Sequence, residues 1–228
     1  MAPGVQSVAV RAEFASSTIG RKIVMAATGL VLFGFVLVHM IGNLQVFLHD
    51  HEAINHYGRF LRELLHGTGI WIARGTLLAA VGLHIWSAWS LTLTNRRARP
   101  IGYRVVTPDA STYASRTMRW GGVIVLLFVI YHLLHMTVGT VHPAFVEGDV
   151  YHNIVSGFSV WPVTLFYVIA MLALGLHLRH GVWSMLQTLG VSHPRWDRAR
   201  KTMATVFAIV VMIGFVSVPL AVLAGVVK

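Results

Sequence analysis

The sequence predicts an all-α integral membrane protein with five transmembrane helices, four of them forming a core bundle. Three observations predict it. Of 228 residues, 56% are hydrophobic and only 11% charged, where a soluble domain carries about 25% charged residues. Five apolar stretches are long enough to cross a bilayer, which takes roughly 20 residues of helix. Basic residues gather in alternate connections between those stretches, as orientation in a membrane requires. The connections are too short to bury cores of their own, so 1–228 reads as a single transmembrane domain.

Residues 1–22 lack the continuous apolar run of a secretory leader and read as a short amphipathic or disordered lead. Span one, at about 23–48, follows Arg11, Arg21 and Lys22. Span two, at about 68–93, is followed by a basic connection with Arg96, Arg97, Arg99, Arg104, Arg116 and Arg119. Span three lies at about 119–141. The next connection has no Lys or Arg but carries Glu147 and Asp149. Span four lies at about 161–188. Arg195, Arg198, Arg200 and Lys201 then precede span five, at about 203–227. That last span contains Pro219 and no histidine, and reads as packing or oligomer contact. The positive-inside rule places the N-terminus, 94–118 and 189–202 in the cytoplasm and the C-terminus outside. Arg59 and Arg62 fall on the outer side, partly offset by Asp50, Glu52 and Glu63. The net charge of +10 therefore reads as topology, not as a nucleic-acid surface.

The first four spans each carry a deep histidine: His39, His84, His132 and His177. An imidazole in the hydrocarbon is costly and calls for a partner or ligand. Helical rise converts position to depth. His39 lies 16 residues past the start of span one, roughly 24 Å from the inner end. The same argument puts His132 in the outer half and His84 and His177 in the inner half. The result is an outer pair, His39 with His132, and an inner pair, His84 with His177, offset by on the order of 10 Å. Two pairs of neutral imidazoles suit the axial positions of two haem irons, and helix bundles build such sites from facing side chains. The absence of cysteine excludes covalent c-type attachment and thiolate-held iron–sulfur clusters, so any haem here is held non-covalently, and the expectation is a di-haem b cytochrome.

His135 and His180 lie one turn from His132 and His177 and share their faces, so periodicity leaves the ligand choice open. The two alternates would then bond a propionate, water or a quinone. Arg179 and Arg74, inside spans four and two, are candidates for inner and outer haem propionates, because guanidinium bonds carboxylate through two parallel hydrogen bonds. Glycines such as Gly29, Gly34, Gly82 and Gly122 make room for a flat macrocycle or for close helix packing. His49, His51, His56, His66, His142, His152 and His193 read as interfacial polarity.

These residues resemble a known family. The segments F-V-L-V-H-M-I-G-N with His39, L-F-V-I-Y-H with His132, and L-H-L-R-H-G-V-W-S with His177, together with His84, are similar to the membrane-anchor cytochrome b subunit of succinate dehydrogenase and fumarate reductase, in its five-helix, di-haem type. The resemblance covers essentially the whole chain, and the family's four axial histidines match His39, His84, His132 and His177. It implies an anchor of succinate:quinone oxidoreductase (respiratory complex II, shared with the tricarboxylic acid cycle). Its partners would be a flavoprotein subunit and an iron–sulfur subunit on the cytoplasmic side, and its substrate a membrane quinone, commonly menaquinone. It also implies residence in a prokaryotic inner membrane, as a subunit not itself catalytic for succinate. Candidate quinone contacts are Asn43, Gln45, His49, His56, Arg59, Arg62, Glu63 and His66 at the outer end, or Arg21 and Trp89 at the inner end. Two other readings remain: the cytochrome b anchor of a hydrogenase or formate dehydrogenase, and a haem-free proton-coupled transporter using membrane histidines.

Overall fold

The computed structural model describes residues 17–48, 50–98 and 113–228, with side chains from residue 118 in the last stretch. Arg11, His49, Arg99, Arg104 and the side chain of Arg116 lie outside the described residues. The described elements are helical, and five are long and apolar enough to cross a membrane.

Helix α1, Thr18–Asn43, runs into a short 3-10 turn, Leu44–Phe47. Ser17 starts it: its hydroxyl accepts from Gly20 N–H at 2.9 Å, satisfying one otherwise orphaned donor of the first turn. Helix α2, Glu52–Glu63, is short and lies beyond the apolar stretch. Leu65, His66 and Gly67 all take positive φ and turn the chain into α3, Thr68–Ala98. Helix α4, Tyr113–Leu133, continues as one π turn, Leu134–Val138, and stops where Gly139 adopts φ 81°. Helix α5, Val150–Phe158, is again short, and Asp149 caps it by accepting from His152 N–H at 2.9 Å. Helix α6, Trp161–Thr188, opens with proline in its first turn, where no amide donor is needed. Helix α7, Asp197–Leu223, carries Pro219 inside it.

The second and fourth spans begin where expected, at 68 and 161. The first and last begin earlier, at 18 and 197, because helix does not stop at a charge. Lys22 and Lys201 ride on the first turns, exposed as long basic side chains that reach water, while Arg200 beside them is buried against Asp197. The third ends before 141, because left-handed Gly139 terminates it.

Helix α1 packs on α3, α6 and α7, α4 packs on α6, and α6 runs along α7. Gly214 of α7 meets the Met40 side chain of α1, so these two helices approach closely. Outward apolar side chains such as Ile72, Leu78, Leu127 and Ile213 remain exposed, as a lipid-facing surface requires. One end of the bundle is covered by α2, α5 and the 139–149 segment. Buried Asn55 fastens this cap. Its Nδ2 donates to Asp149 Oδ1 at 3.1 Å, and its Oδ1 accepts from Tyr151 N–H at 3.0 Å. The opposite end carries the basic side chains, with Arg200 bonded to Asp197 at 3.0 Å and to the Val191 carbonyl.

Candidate functional site

The four deep histidines sit on α1, α3, α4 and α6, and the structure brings them together in two pairs. His39 and His132 have ring centroids 5.8 Å apart at 76°. His84 and His177 have centroids 6.3 Å apart at 58°. The pairs occupy different levels. A Cβ at Gly29 of α1 would stand 3.5 Å from His84, and one at Gly122 of α4 would stand 3.7 Å from His177. His39 and His132 each lie ten residues farther along the same helices, roughly 15 Å at the α-helical rise.

Neighbours orient the rings of His84, His132 and His39. His84 Nδ1 lies 3.2 Å from Thr28 Oγ1. The threonine hydroxyl donates to the Val24 carbonyl at 2.7 Å, so it accepts from His84 Nδ1–H. That leaves the lone pair on His84 Nε2. His132 Nδ1 lies 3.3 Å from Tyr167 Oη, and Phe128 stacks on the His132 ring at 5.7 Å. Phe35, one turn before His39, stacks on its ring at 5.3 Å. His177 Nδ1 is buried without a hydrogen-bond partner among the described residues, as is Ser87 Oγ one turn from His84.

The alternates His135 and His180 have contacts of their own. The π turn carries His135 against Tyr167, with Nδ1 3.0 Å from Oη, and stacks it on His142 at 4.5 Å. His135 is only 2% exposed. His180 instead meets Trp183 edge-on at 5.9 Å.

His142, expected at the interface, is 5% exposed. The cap buries it, and that desolvation pushes its imidazole below the ordinary histidine value. Its Nε2–H donates to Ser156 Oγ at 3.1 Å, since the serine hydroxyl is committed to the His152 carbonyl at 2.7 Å.

The two arginines both make contacts within the protein. Arg179 stands two residues past His177, about 200° around the helix. It is exposed and donates from Nε to Thr205 Oγ1 of α7 at 3.1 Å. Arg74 is exposed and lies over the Trp71 ring at 4.9 Å. Of the expected quinone contacts, Asn43 donates back to the His39 carbonyl at 2.7 Å and Arg59 pairs with Glu52 at 3.6 Å. Thr28, Tyr167 and His142 were not legible as parts of the site. Thr28 is 56 residues from His84 and Tyr167 is 35 from His132, and no spacing rule links residues so far apart.

The family model of the succinate dehydrogenase/fumarate reductase transmembrane subunit matches residues 93–217, more than half of the chain. The chain belongs to this family. No curated protein and no solved structure matches it. In this transmembrane subunit the matched stretch runs from the end of α3 into α7 and includes His132, Tyr167 and His177, while His39 and His84 precede it. Membership makes it a multi-pass membrane protein that associates with the other subunits of its complex. It also sets aside the hydrogenase and formate dehydrogenase readings.

Proposed function

We propose that this subunit is a di-haem cytochrome b that links a cytoplasmic iron–sulfur subunit to a membrane quinone, menaquinone in the type it resembles. His39 and His132 would hold one haem, and His84 and His177 the other. The observation that carries the reading is the spacing within the two pairs. A metal–imidazole bond is about 2 Å, and each ring centre lies roughly an ångström beyond its nitrogen, so two rings on one metal have centroids roughly 6 Å apart. Both pairs, at 5.8 and 6.3 Å, suit that separation. The Thr28 bond supports it further, because it leaves His84 Nε2 free to ligate.

Haem bound by these residues supplies one-electron transfer. The chain's own residues do the rest. Two imidazoles at each site would hold the haem and leave no open position for oxygen. Phe35 and Phe128 hold ring orientation, and the apolar bundle excludes water from the paired histidines. The charge pattern supports a prokaryotic inner membrane with the basic end in the cytoplasm, facing the flavoprotein and iron–sulfur subunits, and the capped end outside.

Reduced-minus-oxidised spectra with pyridine haemochrome quantification test this on the purified complex. Two b-type haems per chain are expected. His39→Ala or His132→Ala should remove one of them, and His84→Ala or His177→Ala the other. A folded complex without haem overturns the reading. Retention of both haems in His132→Ala moves that role to His135.

A further inference from the structure

Tyr167 sits where the two neighbouring histidines of α4 diverge. It is buried in α6, and its single hydroxyl lies 3.3 Å from His132 Nδ1 and 3.0 Å from His135 Nδ1. A phenol carries one hydrogen and can also accept. It can therefore donate to at most one of the two, and at least one contact is a bond it accepts.

The proposed ligand role decides which. A neutral imidazole that ligates through Nε2 carries its hydrogen on Nδ1, so His132 donates to Tyr167 Oη. The tyrosine O–H is then free for His135 Nδ1, 3.0 Å away, a bond that takes Nδ1 as the unprotonated nitrogen of that ring. A hydroxyl that is itself donating is a stronger acceptor. The chain His132, Tyr167, His135 thus pulls hydrogen density away from the His132 ring. An acceptor on the distal nitrogen raises a ligand's basicity. His135 is held for this purpose by its stack on His142 and by Gly157, where a Cβ would come within 2.9 Å of His135 Cε1.

The other pair is built differently. The acceptor for His84 is a threonine whose hydrogen goes to its own helix backbone, and His177 Nδ1 has no hydrogen-bond partner among the described residues. Neither relays to a further side chain.

We propose that Tyr167 is the positioning residue of His132, accepting from its Nδ1–H and donating to His135, and that this relay lowers the reduction potential of the haem held by His39 and His132. The inference rests on the di-haem reading. A more basic ligand favours the oxidised, more positive iron, so loss of the relay raises the potential.

The test is a redox titration of the assembled complex, followed in the haem absorption bands. The wave that disappears in His39→Ala belongs to the pair in question. Tyr167→Phe keeps the ring and removes the hydroxyl. It should raise that wave's midpoint, by a shift equivalent to roughly threefold to tenfold in the oxidised-to-reduced ratio, about the worth of one hydrogen bond. The second wave should stay in place. His135→Leu, which removes only the acceptor for the hydroxyl, should move the same wave in the same direction by less. A Tyr167→Phe midpoint that is unmoved, or both waves moving equally, overturns the proposal. Should Tyr167→Phe fail to retain this haem, His135→Leu decides: an unmoved wave overturns the proposal and a raised one supports it. Failure of the underlying reading looks different, since the wild-type complex would then lack two haems altogether.

Discussion

Gly157 shows how little room surrounds the buried imidazoles at the capped end. A Cβ there would come within 2.9 Å of His135 Cε1, 3.2 Å of His142 Cε1 and 3.2 Å of Met136 Cε. Two of these neighbours are rings stacked on one another and cannot retreat like the end of a flexible chain. Gly157→Ala should therefore cost about 1–3 kcal/mol through overpacking, seen as a lowered Tm of the purified complex. An unchanged Tm would mean that the ring stack is loose. At this scale the four paired histidines were legible, because helical rise turns sequence position into depth. The choice between His132 and His135 was not. Residues three apart share a face on any regular helix, and in the structure His132 lies beside His39 while the π turn stacks His135 on His142. The Thr205 contact of Arg179 was not legible for a related reason. Its depth suited an inner propionate, but its angle sets it opposite His177 and against Thr205.

Charged first turns govern the ends of the long helices, and short polar helices govern the cap. Hydropathy locates apolar stretches, so it truncates α1 and α7 at their basic residues, although the backbone continues to Ser17 and Asp197. Helices α2 and α5 escaped a hydropathy reading because they are short and lie between spans. They are joined by Asn55, which spends both ends of its amide on Asp149 and Tyr151. Asn55→Ala would leave the Tyr151 N–H without its acceptor, at a cost of about 1–3 kcal/mol. Hydrogen exchange should accelerate across 150–158 while haem content holds. Equal protection in mutant and wild type would show that apolar packing alone retains the cap.

The whole molecule is a bundle with unlike ends, one basic and one capped. The sequence lacks cysteine, so single introduced thiols report sidedness cleanly. Lys228 lies at the capped end, where its carbonyl accepts from the Tyr151 hydroxyl at 3.2 Å. His193 lies between α6 and α7 at the other. Lys228→Cys should react with an impermeant thiol reagent on intact cells, and His193→Cys only after permeabilisation. The reverse pattern would invert the orientation and place the cap in the cytoplasm. The sequence by itself determined the number of spans and the two levels of histidine, because bilayer thickness and helical rise act on local stretches of chain. Only the tertiary structure decided which nitrogen Thr28 secures, and that Tyr167 bridges two histidines. Those outcomes depend on the rotation of whole helices against one another, which no local pattern encodes.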